Sequence, residues 1–144
     1  MSIFEPSPSP WTGRILSIFR IVAGLIFLTS GTMKLFGYPP PPAGVTMPPF
    51  DPMTQMGIGA LLEFFGGLCI VLGLFTRPAA FILSGMMAVA YFQFHAPGSF
   101  WPTSNMGIPA ILDCFFFLYL TFAGPGPWSI DALIARRRRG AARL

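Results

Sequence analysis

Four long apolar stretches, separated by segments rich in proline and glycine, set the pattern of this chain. They run from about Ile15 to Phe36, Met56 to Phe75, Ala79 to His95 and Met106 to Ala123. A helix that crosses a bilayer needs about 20 mostly apolar residues, within a range of roughly 17–25. All four stretches fit, and the breaks between them are built to stop helices. Gly37 to Gln55 (GYPPPPAGVTMPPFDPMTQ) has seven prolines in nineteen residues and reads as a stiff, polyproline-like cap across the bundle mouth. Arg77-Pro78 allows a tight turn, Ala96 to Asn105 carries Phe100 and Trp101 as interface anchors, and GPGP at 124 to 127 stops the last stretch. Pro109 sits in a first turn, where its missing N–H costs nothing. Ser129 with Asp131 then looks like the N-terminal cap of a short amphipathic helix, followed by RRRR at 136 to 139.

The predicted fold is an all-α membrane protein. It is an antiparallel bundle of four transmembrane helices with a short C-terminal amphipathic helix beside the membrane. Residues 1–14 form a Pro/Ser-rich tail, 15–135 the four-helix domain and 136–144 a basic tail. Met1 to Thr12 (MSIFEPSPSPWT) alternates Ser with Pro and is not expected to be helical. It lacks the basic region of a signal peptide, and the apolar run after it is too long and has no small-residue cleavage site. The segment is therefore expected to be retained.

The few polar positions inside the stretches are ordered. Arg20, Gly24, Phe27, Gly31 and Lys34 share one helical face, with a cation at each end. Snorkelling of both cations to opposite interfaces is the plain alternative. Glu63, Gly66, Gly67, Ile70 and Leu74 share a face in the second stretch, and Ser84, Met87, Ala88, Tyr91 and His95 in the third. Small residues let helix backbones approach closely in lipid. An acid in hydrocarbon is costly and normally faces a bundle interior with a partner.

Composition agrees with the pattern. The chain has 144 residues, 53% hydrophobic and 10% charged, with a mean hydropathy of +0.66. A soluble domain carries about 25% charged residues. The net charge of +4 does not point to nucleic acid, because five of the nine basic residues lie in the last nine positions. They act as a topology signal instead. Arg14, Arg77 and the arginine run mark cytoplasmic segments, while the first and third loops have no Lys or Arg. Both termini are therefore expected in the cytoplasm. Cys69 and Cys114 lie inside apolar runs without CxxC spacing and read as buried free thiols.

Depth turns these positions into a candidate site. At 1.5 Å per residue, Glu63 and Asp113 lie about 10 Å below the outer ends of their helices. Lys34 and His95 sit at the same outer side, so four helices each send one ionisable group to one half. His95 is the single histidine, which argues against a bis-histidine haem or a mononuclear metal site. Its plain role is a bond to loop backbone. Two readings stand for the cluster. Lys34 and Glu63 form a buried ion pair that sets helix register, with Asp113 joining or protonated. Alternatively, the helices enclose a pocket for a flat, apolar ligand with polar ends, bound by Arg20 and His95 and walled by Phe27, Phe64, Tyr91, Phe116 and neighbouring methionines.

The first-span stripe, Glu63 and Gly73 leading to TRPAA at 76 to 80, and GPGPWSID at 124 to 131 resemble the DoxX/DoxD family of four-helix membrane proteins. The similarity runs from about Arg20 to Leu133, and carries over only Arg20, Lys34, Glu63 and the GPGPWSID ending. It implies a bacterial inner-membrane protein that partners redox enzymes and meets quinone. Lys34 would then polarise a quinone oxygen, and Glu63 or Asp113 would pass protons. Electrons would arrive from a partner, since the chain has no haem, flavin or iron–sulfur motif. One departure is that Asn105-Met-Gly-Ile lacks the acid that relatives often carry there. Asp113 either compensates or signals another ligand. A non-catalytic module that docks a partner enzyme stays open, as do a homo-oligomer and, less favoured, a small transporter.

Overall fold

A computed structural model describes residues 9–142, so most of the Pro/Ser-rich segment lies outside the described residues. Its helices are α1 (Thr12–Phe36), α2 (Gln55–Leu72), α3 (Thr76–Ala90), α4 (Ile108–Ala123) and α5 (Ile130–Ala141). A π-helical turn, Tyr91–His95, continues α3 directly. Among the described residues there is no strand. Helices α1 and α2 are long and apolar enough to cross a membrane, and α4 is a shorter apolar helix.

The boundaries differ from expectation for local reasons. Helix α1 starts at Thr12 rather than Ile15, because the Trp11 carbonyl already accepts the Ile15 N–H at 2.8 Å. Helix α2 ends at Leu72 because Gly73 takes a left-handed φ of 64° and gives its N–H back to the helix. Helix α4 starts at Ile108 rather than Met106, which has a φ of 59°. The arginine run is not a separate tail but the last turns of α5. Arginine is a good helix former and is favoured near a helix C-terminus.

Neighbouring helices run in opposite directions. Arg20, in the first half of α1, meets the carbonyls of Ile70 and Val71 at the end of α2, whereas Lys34 in the last turn of α1 meets Glu63. The two backbones nearly touch. A Cβ at Gly31 would stand 2.6 Å from the Phe64 nitrogen, and one at Gly24 3.0 Å from Ile70 and Val71. Helices α3 and α4 pair through Ser84 Oγ, which donates to the Cys114 carbonyl at 2.9 Å, and Arg77, which donates to the Thr121 carbonyl at 3.0 Å.

The core draws on α1 to α4: Phe27, Ile70, Ala80, Leu83, Phe117 and Leu120. Phe27 and Phe117 meet edge to face with centroids 4.9 Å apart. The outer faces carry exposed large apolar residues, among them Ile26, Phe65, Phe81, Leu112 and Phe122. This surface suits hydrocarbon far better than water. Cys69 and Cys114 are free and half-buried.

Candidate functional site

Lys34 occupies the last turn of α1, where a cation also suits the helix dipole. Its Nζ stands 2.5 Å from Oε1 of Glu63, the one salt bridge among the described residues. Glu63 is 7% exposed and its Oε2 is buried without a hydrogen-bond partner. Helix α2 brings it there because Gln55, Gly59 and Glu63 recur at a spacing of four and share one face.

That face borders a half-open cavity of about 360 Å³ between α2 and α3, with Lys34 of α1 among its lining residues. Its polar lining is Lys34, Glu63, His95 and Gln55, and its apolar wall is mainly Met56, Met86, Met87 and Phe94. Gln55 donates across the rim to the Gln93 side-chain carbonyl. His95 Nδ1 lies 3.0 Å from the Asn105 carbonyl, the loop-backbone bond expected of it. A second hollow of about 170 Å³ lies on the other side of Lys34 and Met56, between them and Met47 to Asp51. The proline-rich segment therefore lies against this end of the bundle.

Other residues expected at the site stand elsewhere. Phe64 follows Glu63 by about 100° around the helix and turns to Phe36 of α1, with centroids 5.6 Å apart. Phe27 is core, and Phe116 packs on Phe19 at 4.6 Å, both on the α1–α4 side. Tyr91 is buried, stacks beside His95 at 6.3 Å and donates its hydroxyl to the Phe100 carbonyl, holding the Ala96 to Asn105 loop. Asp113 is half-buried on α4 and does not line the cavity.

Arg20 lies at the opposite end, 14 residues or about 21 Å along α1 from Lys34. Its guanidinium is fully buried and spends its donors on backbone. Nε reaches the Pro125 carbonyl at 2.8 Å, Nη1 those of Ile70 and Val71, the latter at 2.6 Å, and Nη2 that of Trp128 at 2.6 Å. Beside it, Ser129 caps α5 as expected, accepting the Ala132 N–H at 3.1 Å. Asp131 does not share that task. Its carboxylate accepts the N–H groups of Phe75 and Thr76 at 3.0 and 2.9 Å and so caps α3. The GPGPWSID segment is thus a clasp over the ends of three helices.

The sequence pattern reached Lys34, Glu63 and His95, and the methionines in kind, but missed Gln55 and Phe94. A signal for both existed. Gln55 precedes Glu63 by two spacings of four, and Met86, Ala90 and Phe94 form the same series on the facing element. Chemically, the arrangement offers an ammonium, a carboxylate and an imidazole at one edge of an apolar slot. No group of three His, Cys, Asp or Glu side chains suits a metal among the described residues.

A family model described as DoxX matches residues 15–96, from α1 through the π-helical turn; α4 and the clasp lie beyond that match. An uncharacterized protein of Haemophilus influenzae is 40% identical over 119 residues, covering 81% of this chain and 87% of that protein. The inner membrane protein YqjF of Escherichia coli (strain K12) is 32% identical over 127 residues, covering 83% and 92%. No solved structure matches the chain.

Proposed function

The chain belongs to the DoxX family, and from that premise we propose that it is an inner-membrane subunit of a redox system whose cavity receives a quinone headgroup. The observation that carries this is the slot itself. It is a volume of about 360 Å³ with mostly apolar walls and a Lys34–Glu63 pair and His95 at its polar edge. Small-molecule sites generally combine an apolar lining with a few placed polar groups. In this reading Lys34 polarises a quinone oxygen, and Glu63 takes or gives protons with Asp113 behind it. A partner redox enzyme brings the electrons, and the bundle works alone or as a homo-oligomer.

The membrane arrangement is part of the proposal. Helices α1, α2, α3 with its π-helical turn, and α4 each span the bilayer, antiparallel, with both termini cytoplasmic. Support comes from charge at one end. Arg14, Arg77 and the arginine run of α5 gather where Asp131 caps α3, while the cavity end has Lys34 as its Lys or Arg. The relative named as an inner membrane protein agrees.

Purification of the chain from membranes, followed by solvent extraction and chromatography, tests the reading. A quinone should copurify in near-stoichiometric amount and be lost from a folded Lys34→Met/Glu63→Leu variant. A quinone-free protein would favour a second reading, a non-catalytic module that docks a partner enzyme. The clasp around Arg20 favours that one, since it shows charged residues spent wholly on architecture.

A further inference from the structure

Helix α5 has no buried residue, yet its start is firmly held. The Asp131 N–H donates to the Gly73 carbonyl at 2.9 Å while the Asp131 carboxylate caps α3, so α5 begins level with the ends of α2 and α3. It then runs for 12 residues, about 18 Å. At about 100° per residue, Ile130, Leu133 and Ile134 fall within an arc of about 100°. Leu133 and Ile134 are exposed, as are Trp128 before the helix and Phe75 beside its start. A helix pointing straight into water would leave that arc wetted. Laid along the membrane surface, the same arc meets the acyl boundary.

The arginine run completes the pattern. Arg136 and Arg138 flank the apolar arc, about 60° and 40° beyond its two edges. Arg137 falls inside the arc, where its long stem can lie on apolar surface and lift the guanidinium to the phosphate level. Arg139 faces nearly the opposite way, about 170° from the centre of the arc. All four are exposed, and among the described residues none forms a salt bridge. Asp131 is the one acid of α5, and its carboxylate is engaged by α3.

We propose that α5 is a binding site for anionic phospholipid. The helix lies in the plane of the interface, its apolar arc rests on the acyl boundary, and Arg136, Arg137 and Arg138 hold the phosphates of the surrounding leaflet. A zwitterionic headgroup carries its own ammonium, which offsets the attraction, whereas phosphatidylglycerol leaves its phosphate charge unopposed. A nucleic acid would match the charge but leave Leu133 and Ile134 wet. The run is thus more than an orientation signal, because its four arginines are not equivalent: three face lipid and Arg139 faces water. The site needs the bundle to stand in a bilayer and needs no occupant in the cavity between α2 and α3.

Electron spin resonance on the full chain in lipid nanodiscs tests this in two ways. Spin-labelled phosphatidylglycerol and phosphatidylcholine report which lipid the protein holds at its surface. The unaltered chain should prefer phosphatidylglycerol by about three-fold or more, as expected of arginines near a charged surface. The triple variant Arg136→Ala/Arg137→Ala/Arg138→Ala should lose most of that preference, and Arg139→Ala should keep it. Depth is the second readout, in a background without Cys69 and Cys114. A nitroxide on Ile134→Cys should be shielded from a water-soluble relaxing agent, and one on Arg139→Cys should be open to it. The depth measurement keeps Arg136 to Arg138 and so stands even if the triple variant does not fold. No preference for phosphatidylglycerol, or one unchanged in the triple variant, overturns the lipid site. An equal loss in Arg139→Ala overturns the assignment of faces, and equal exposure at positions 134 and 139 overturns the in-plane helix.

Discussion

At the scale of single residues, the two cations of α1 do different work. Lys34, half-buried with 29% of its side chain exposed, pairs with the buried Glu63. Removing one member of such a pair typically costs about 3–5 kcal/mol, whereas replacing both with apolar groups is often near neutral. Lys34→Met and Glu63→Leu should therefore each lower the thermal midpoint strongly, and the double variant should recover much of the loss. Additive losses in a circular-dichroism melt would show that the two are uncoupled. Arg20 has no such apolar rescue, because its partners are main-chain carbonyls that stay behind. A buried group left unmet costs about 1–3 kcal/mol, so Arg20→Met should cost at least about 3 kcal/mol. A melt within experimental error of the parent would refute the clasp. Both cations stand out in the sequence because ionisable groups are scarce there. Their roles do not, since a guanidinium bound to distant carbonyls leaves no charged partner to notice. Phe27, Phe64 and Phe116 lie outside the cavity lining for a related reason: rotation about the helix axis decides which cavity a ring meets, and residue kind does not reveal it.

At the scale of elements, the close seam between α1 and α2 depends on residues without side chains. A methyl group at Gly31 would press on the Phe64 backbone, which cannot swing aside. Overpacking of this sort costs about 1–3 kcal/mol, so Gly31→Ala should destabilise the fold and shift Lys34 from Glu63. Gly85, with open space around it, is the control. Gly85→Ala should be neutral or gain up to about 1 kcal/mol from helix propensity. Equal effects at the two positions would show that the seam is not tight. The apolar runs made α1, α2, α3 and α4 legible, because a long apolar run with no proline beyond its first turn has few other uses. Ends were less so: Gly73 stops α2 by its left-handed φ, and nothing in the apolar pattern near Phe75 marks that point. The cap of α3 was not legible at all. Asp131 stands 55 residues from Thr76 in the chain, so only the folded molecule brings them together.

At the scale of the whole molecule, charge and cavity define two unlike ends. In a background without Cys69 and Cys114, single cysteines at Ala43 and Ser99 should react with an impermeant maleimide on intact cells. One at Ala141 should react only after permeabilisation. Labelling of position 141 from outside would invert the proposed orientation. The clasp also sets an order of events during synthesis. Arg20 sits about 12 Å inside α1, yet two of its carbonyl partners, Pro125 and Trp128, follow it by 105 and 108 residues. At about 5–20 residues per second, the ribosome needs roughly 5–20 s to make them. For that interval the first helix holds an incompletely satisfied guanidinium. A nascent chain arrested before Gly124 should therefore remain beside the insertion machinery in a crosslinking experiment, and one extended past Asp131 should be released into lipid.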